Sequence, residues 1–298
     1  FDGRKADVTE GPTAFNSGDN ITIGPNSYTG YTINSASGAT TSTSNTTLYI
    51  RRSAISQTYN YVANSYTLTF DANGGSVTPG SKTVKYDFTY NYGGNLPVPT
   101  RTGYNFDGWY TAASGGTKVN DSDYVETAGN HTVYAHWTAQ TYTVTFADPI
   151  GGGTPSPASK TVTYDQAYGA LATISRTGYD FDGWYTAQTG GTKVEATTTV
   201  TTASNHTLYA RWTAKTYTVT YDANGGSVSP GSKSVTYDSA YGTLATPTRT
   251  GYSFNGWYTA ASGGSEVTAS TTVTTASNHT IYAQWSINQY TITFDSAG

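Results

Sequence analysis

The sequence predicts a mainly β protein, at most β-rich α+β, built from small tandem modules. Three observations carry that prediction. Gly-Tyr-x-Phe-x-Gly-Trp-Tyr occurs at Gly103–Tyr110, Gly178–Tyr185 and Gly251–Tyr258, and Asn-His-Thr-(Val/Leu/Ile)-Tyr-Ala-x-Trp follows at Asn130–Trp137, Asn205–Trp212 and Asn278–Trp285. All 6 tryptophans fall in these markers, spaced 75 and then 73 residues apart, a period that means an array of small units. Threonine is close to a fifth of the chain beside 27 Tyr and 33 Gly, residues suited to pleated strands and turns.

Each unit opens on an alternating run, Tyr66-Thr67-Leu68-Thr69-Phe70, repeated at Tyr142–Phe146 and Tyr217–Tyr221. Alternation of period two puts Tyr66, Leu68 and Phe70 on one face of a half-buried strand and the threonines on the other. Asp71-Ala72-Asn73-Gly74-Gly75, repeated at Asp222–Gly226, supplies the positive-φ positions of a tight hairpin. Copy two departs here with Asp148-Pro149-Ile150-Gly151-Gly152-Gly153, so its loop is expected to differ in shape. Lys82–Tyr86, Lys160–Tyr164 and Lys233–Tyr237 give a second strand. The segment Ala240–Pro247 has room for a helical turn or a crossover loop, but its Gly and Pro exclude a long helix. The Gly-Tyr marker is a third strand, in which Trp109 has the wrong parity to share a face with Tyr104 and Phe106 unless Gly108 forms a bulge. A polar fourth strand is expected near residues 197–202, and the last strand puts Leu208, Ala210 and Trp212 on one face.

A module of this size lies near the lower limit for a self-supporting core, and with Cys 0 no disulfide staples it and no thiolate serves as ligand or nucleophile. Only 11% of residues are charged, with 15 basic against 19 acidic, which gives no electrostatic case for nucleic acid. No apolar stretch is long enough to span a bilayer as a helix. Low charge with abundant Thr, Ser and Gly describes an extracellular, cell-surface or secreted protein. Met 0, even at position 1, reads as a processed product or a fragment.

The order Tyr-Thr-Val-Thr-Phe-Asp, Pro-x-Arg-x-Gly-Tyr-x-Phe-x-Gly-Trp-Tyr and Thr-(Leu/Ile)-Tyr-Ala-x-Trp, nearly complete in Thr248–Tyr258, resembles the Listeria–Bacteroides repeat family. The resemblance covers residues 66–285 and carries into Tyr290–Gly298. It implies compact β-grasp-like modules used in tandem as a stalk or spacer on bacterial surface proteins, with no catalytic residues to transfer. Copy two lacks the proline before its arginine (Thr173-Ile174-Ser175-Arg176), a departure that bears on local loop geometry.

The expected organisation is a diverged or separate β domain over residues 1–50, a connector over 51–65, and modules over 66–138, 141–213 and 216–286. Residues 289–298 read either as the first strand of an incomplete fourth repeat or as a donor strand. Asn45–Arg51 echoes Asn205–Arg211. Tyr290, Thr291, Ile292, Thr293 and Phe294 form the candidate assembly strand, because an exposed apolar strand is a template for pairing, and head-to-tail repetition of one contact builds a filament.

No constellation for catalysis is found, and no cofactor or metal is expected. The recurring His131, His206 and His279 read as strand-edge residues, with His136 a fourth histidine in copy one. Asn120-Asp121-Ser122-Asp123 lacks the donor spacing of a calcium loop. Lys82, Lys160 and Lys233 read as surface lysines, snorkelled rather than cross-linked. Trp109, Trp137, Trp184, Trp212, Trp257 and Trp285 are core anchors. Tyr110, Tyr185 and Tyr258 remain candidate platforms for stacking sugars. The reading is a non-enzymatic structural repeat protein, a stalk or fibre whose partners are itself or neighbouring repeats. The alternative is an adhesin for host protein or glycan.

Overall fold

The computed structural model describes residues 20–23, 29–38, 46–49 and 57–294, with side chains at 29–32 and 61–294. Among the described residues every helix or strand element is a strand, and no helix is long and apolar enough to cross a membrane. The chain divides into two units, residues 1–140 and 141–298.

In the first unit, strands β1 (Asn20–Ile23), β2 (Tyr31–Gly38), β3 (Thr46–Tyr49) and β4 (Gln57–Ala63) form two antiparallel pairs, β1 with β3 and β2 with β4. A five-stranded sheet follows from β5 (Ser65–Asp71), β6 (Ser81–Lys85), β7 (Tyr104–Tyr110), β8 (Lys118–Val119) and β9 (His131–Ala139), in the order β6-β5-β9-β7-β8. The second unit repeats that sheet twice. Strands β10 (Thr141–Ala147), β11 (Ser159–Thr163), β12 (Tyr179–Tyr185), β13 (Lys193–Val194) and β14 (His206–Ala214) give β11-β10-β14-β12-β13. Strands β15 (Thr216–Asp222), β16 (Ser232–Thr236), β17 (Tyr252–Tyr258), β18 (Glu266–Val267) and β19 (His279–Ile287) give β16-β15-β19-β17-β18. In each sheet the first and last strands are adjacent and parallel, and all other pairings are antiparallel.

The alternating pattern sets the core. Leu68, Phe70 and Val84 point inward with Trp109, Val125, Val133 and Ala135, while Thr67 and Thr69 face solvent. Strand β7 contains the bulge that its parity left open. The register shifts between Phe106 and Gly108, where Gly108 has φ +139°. The extra residue brings Phe106 to the same side as Trp109, with ring centroids 5.5 Å apart. Trp109, Trp184 and Trp257 are each 2% exposed, and each indole N–H donates at 2.8 Å to a loop carbonyl, of Pro97, Ala172 and Ala245 respectively. The second set, Trp137, Trp212 and Trp285, packs half-buried against the same cores.

Three local expectations differ from the structure, and one left open between two shapes is decided by it. Asn73 (φ 47°) and Gly74 (φ 89°) do take positive φ, but they do not close a tight hairpin, because the β5–β6 ladder ends at the pair Thr69↔Ser81 and leaves a long loop between them. Instead Asn73 is an anchor. Its Nδ2 donates to the carbonyls of Ala113 (3.1 Å) and Ala135 (2.9 Å), joining the loop to two distant segments. The segment Ala240–Pro247, open to a helical turn or a crossover loop, is the loop, crossing from β16 to β17. Tyr241 N and Gly242 N donate to the Thr271 and Ala269 carbonyls, which ties it to the segment before the last strand. The fourth strand is the two-residue β13 rather than a strand over 197–202, where one bridge joins Ala167 to Thr199.

The third difference lies in residues 51–65, expected as a connector, which contribute β4. β2 and β4 pair as β7 and β9 do: Tyr31↔Ala63 matches Tyr104↔Ala139, and a bulge between Ile33 and Ser35 matches that between Phe106 and Gly108. Tyr61, 3% exposed, stands where Trp137 stands in module 1. The echo at Asn45–Arg51 is therefore not the counterpart of the last strand. Its described part, β3, pairs with β1, and Asn45, Ile50 and Arg51 lie outside the described residues.

Candidate assembly interface

Consecutive repeats meet through one construction, seen within each unit. In the second unit a single residue, Lys215, separates β14 from β15. Its N–H donates to the Gly178 carbonyl and its own carbonyl accepts from Tyr237 N, both at 2.9 Å. Gly178 lies at φ +79°, and a Cβ there would sit 2.3 Å from the Tyr237 ring, so only glycine lets that ring close on the backbone. Next to it Tyr179 meets Tyr237 edge to face (5.6 Å, 81°) and donates its hydroxyl to Asp238 Oδ2 at 2.7 Å. Asp238 is held at φ 61°, and its N–H donates to the Val273 carbonyl at 2.9 Å. Lys215 Nζ lies 3.3 Å from Asp180 Oδ1, an exposed pair of small energetic weight.

The first unit repeats the construction with different letters. Asn64 separates β4 from β5, donates to Gly30 O at 2.8 Å and accepts from Tyr86 N at 3.0 Å. Gly30 (φ +81°) takes the Tyr86 ring at the same 2.3 Å from its absent Cβ. Tyr31 packs edge-on against Tyr86 (5.6 Å, 82°) and donates to Asp87 Oδ2 at 2.9 Å. Burial, and then the bond to Asp87, push the Tyr31 phenol up to about 12. Tyr179 is also raised, here first by its bond to Asp238 and then by burial. At the corresponding position of module 3, Gly251 keeps φ +81° and accepts from Asn288 N at 2.9 Å, and a Cβ on it would meet open space.

The phenols also have cation partners. The guanidinium carbons of Arg176 and Arg249 lie 3.9 and 3.8 Å from the ring centroids of Tyr179 and Tyr252. The Arg of the Arg-x-Gly-Tyr marker therefore packs on the tyrosine that makes the joint.

The residues singled out from the sequence fall in several places. Tyr290, Ile292 and Phe294 are 76%, 76% and 88% exposed, whereas their counterparts Tyr66, Leu68 and Phe70 contribute to a core. Residues 291–294 are in no strand, and 295–298 lie outside the described residues. Tyr110, Tyr185 and Tyr258 sit in register with Tyr134, Tyr209 and Tyr282, on the face opposite the buried tryptophans. Tyr110 is stacked on His136 (3.8 Å, 8°) and Tyr185 is capped by Arg211 at 4.0 Å, so one face of each ring is occupied.

His131, His206 and His279 lie in separate modules, each against a tyrosine. Nε2 is 3.0, 2.7 and 2.6 Å from the hydroxyls of Tyr90, Tyr168 and Tyr241, and Nδ1 is 2.9 Å from a backbone carbonyl in all three. A carbonyl only accepts, so Nδ1 carries the proton and Nε2 takes the tyrosine's. Burial raises all three of these tyrosines above the ordinary phenol range. In Asn120–Asp123 the carboxylates are already used, Asp123 Oδ2 by Asn120 N (2.7 Å) and Asp121 Oδ1 by Leu96 N (2.7 Å). Among the described residues no three His, Asp or Glu side chains converge as a metal site.

Two features were not read from the sequence. Lys160 donates to the carbonyls of Tyr168 (2.6 Å) and Ala170 (2.7 Å), Lys233 to those of Tyr241 (2.5 Å) and Thr243 (2.9 Å), and Lys82 to those of Tyr90 and Gly94. These lysines clamp a loop rather than extend into solvent, and burial lowers the Lys82 pKa against the pull of Asp121. The joint itself was the other omission. Its signal was the recurring Tyr-Asp at Tyr86-Asp87, Tyr164-Asp165 and Tyr237-Asp238.

A family profile, the Listeria-Bacteroides repeat domain, matches residues 66–136, 142–211 and 217–284. Among curated relatives, Internalin H of Listeria monocytogenes is 41% identical over 114 residues, 38% of this chain and 20% of its own length. A putative Gly-rich membrane protein of Evansella cellulosilytica is 32% identical over 213 residues, 67% of this chain and 24% of its own. A putative membrane protein of the same organism is 32% identical over 237 residues, 78% of this chain and 33% of its own. The chain thus spans a third or less of each of these relatives. A solved structure, the Bacillus anthracis TIE protein, aligns over 85% of this chain and 58% of its own at 12% identity and a TM-score of 0.23, and it carries no structural argument.

Proposed function

The chain belongs to the Listeria-Bacteroides repeat domain family, and from that premise we propose that it is a non-enzymatic spacer, a stalk segment on the outside of a bacterial cell. The observation that carries this reading is the one-residue join. Lys215 has both its N–H and its carbonyl committed to the flanking modules, and Asn64 repeats the arrangement, so the connection has no slack to act as a hinge. A tether that only linked domains would leave such groups to water. Relatives named as an internalin and as membrane proteins support an envelope location.

Small-angle scattering on the full chain and on Gly178→Val tests it. A stalk gives an extended particle whose segmental flexibility rises when the valine side chain is forced against Tyr237. A compact wild-type particle, or a variant that scatters identically, removes the reading.

The finer form of the proposal is head-to-tail assembly, in which Tyr290–Phe294 completes a sheet in another repeat. Its support is the exposure of side chains whose counterparts elsewhere line a core. Electron microscopy of the chain with and without residues 289–298 decides it, since fibres that persist without the segment exclude the mechanism.

An adhesive reading rests on the cross-strand tyrosine pairs Tyr110–Tyr134, Tyr185–Tyr209 and Tyr258–Tyr282. Glycan-array binding that disappears on replacing Tyr110, Tyr185 and Tyr258 by alanine would favour it. An array without signal would leave the spacer reading alone.

A further inference from the structure

The Asn-His-Thr marker has a repeated contact that the spacer reading does not use. Asn130, Asn205 and Asn278 each accept, through Oδ1, a hydrogen bond from a backbone N–H on the first strand of their own module: Thr67 (2.8 Å), Thr143 (2.8 Å) and Thr218 (2.9 Å). That strand is the parallel neighbour of the strand the asparagine precedes. In module 3 the register runs Val219↔His279, Thr220↔Thr280, Tyr221↔Ile281 and Asp222↔Tyr282. Asn278 thus extends the parallel ladder past its last backbone pair, with an amide oxygen in the place of a backbone carbonyl.

The position of this ladder matters because the two strands are the module's entrance and exit. The chain enters module 3 from Lys215 into β15 and leaves through β19 towards Asn288. Tension along the chain therefore pulls β15 and β19 in opposite directions along their common axis. Parallel neighbours loaded in this way are sheared. All the bonds between them resist together, whereas antiparallel strands pulled apart at one end break their bonds in turn. The one-residue join delivers the load to the strand ends directly.

We propose that the paired first and last strands of each module form a load-bearing clamp, and that Asn130, Asn205 and Asn278 are part of it. This rests on the spacer reading for its purpose but not for its test. Modules 1, 2 and 3 carry the same asparagine although the residues around it vary, Gly129 in one and Ser204 and Ser277 in the others. The histidine beside each asparagine pins the start of the last strand to a core tyrosine, Tyr241 in module 3, from the other side.

Single-molecule pulling on the full chain tests the clamp in module 3, with cysteine handles that nothing native competes with, since Cys is 0. Handles at Thr216→Cys and Ile287→Cys load the clamp in shear. Handles at Thr216→Cys and Thr236→Cys, a directly paired position of the β15–β16 ladder, peel that pair instead. The clamp gives a higher rupture force in the first geometry. Asn278→Ala lowers that force and leaves the peeling force unchanged, and Asn278→Asp, which keeps the acceptor, restores it. Equal forces in the two geometries, or a shear force unmoved by Asn278→Ala, overturn the proposal. Because only one module is loaded, either result stands whether or not the full chain proves extended in solution.

Discussion

Modules 2 and 3 share a sheet order, a core and a joint, yet close the loop after their first strand by different chemistry. Module 3 uses Asn224, at φ 46°, whose Nδ2 donates to the Ala261 and Ala283 carbonyls, both at 3.0 Å. The Asn224 carbonyl in turn accepts from Arg249 Nη1 at 3.1 Å, and Ala223 O accepts from the Trp285 indole at 3.0 Å. Module 2 has no asparagine there, and its loop is longer. Asp148 replaces the set, with Oδ1 accepting from the Trp212 indole at 3.1 Å and Oδ2 from Gly153 N at 2.9 Å. One group is not recovered, because the buried Arg176 Nη1, counterpart of Arg249 Nη1, has no hydrogen-bond partner. The comparison separates what a module needs from how it is supplied. The indole must be capped, and a carboxylate does so as well as a carbonyl, whereas the arginine's bond to the loop carbonyl is dispensable.

The largest effect is expected from removing what the two modules share. Trp184→Ala and Trp257→Ala each delete a 2% exposed indole and its bond to a loop carbonyl. Each should cost about 3–5 kcal/mol, read as equal shifts of the denaturation midpoint of the affected module. A large difference between the two would show that the loops contribute to core stability. Next comes the shared loop clamp. Lys233→Ala leaves the Tyr241 and Thr243 carbonyls without their donor, at a cost of roughly 1–3 kcal/mol, and Lys160→Ala should match it. Asn224→Ala then acts on module 3 alone, by about 1–2 kcal/mol for two donated bonds. Hydrogen exchange at the Ala261 and Ala283 segments is the readout, and an unchanged pattern would mean that the asparagine is ornamental.

The smallest effect sharpens the joint rather than the loops. A phenol whose folded pKa is raised stays protonated in the fold while the unfolded chain ionises near the ordinary value of about 10. Stability from such a group is complete below that value and is lost as pH rises through the folded pKa, which for Tyr31 is about 12. Alkaline unfolding of the first unit should therefore begin above about pH 10, and Tyr31→Phe should flatten the decline. Tyr179→Phe should do the same more weakly in the second unit, because Tyr179 is more exposed to solvent. Tyrosinate absorbance against pH measures both.

Much of this architecture is legible in the sequence because it rests on short periods. Alternation at Tyr66–Phe70 points to the inward residues, and the parity of Trp109 leaves a bulge at Gly108 as the way for it to share a face with Phe106, which the structure takes. The joint was less legible because its partners are far apart in sequence, 56 residues from Tyr31 to Asp87 and 59 from Tyr179 to Asp238. No local pattern pairs them. The lysine clamps were missed for a different reason: a lysine at the start of a strand has a solvated reading that composition cannot exclude. In residues 57–63 the strand survived while the words that mark it did not, since Tyr61 fills the core position held elsewhere by tryptophan. Burial there conserves bulk rather than identity.

The parallel pairing of first and last strands also sets an order of events during synthesis. Thr218 must wait 60 residues for Asn278 to be made, so the module gains its closing contacts only when nearly all of it exists. Loop-closure entropy is met before those contacts reward it, a topology that folds slowly for its size. Meanwhile β15 is exposed beside finished modules of nearly the same sequence, where a wrong partner is always close by. Its neighbour in the chain, β14, is already hydrogen-bonded on both sides, to β10 and β12, and offers it no free backbone edge, while the outward Thr218 and Thr220 keep one face of the strand polar. The saturated central strand that ends each module thus guards the next newborn strand against mispairing until its own last strand arrives.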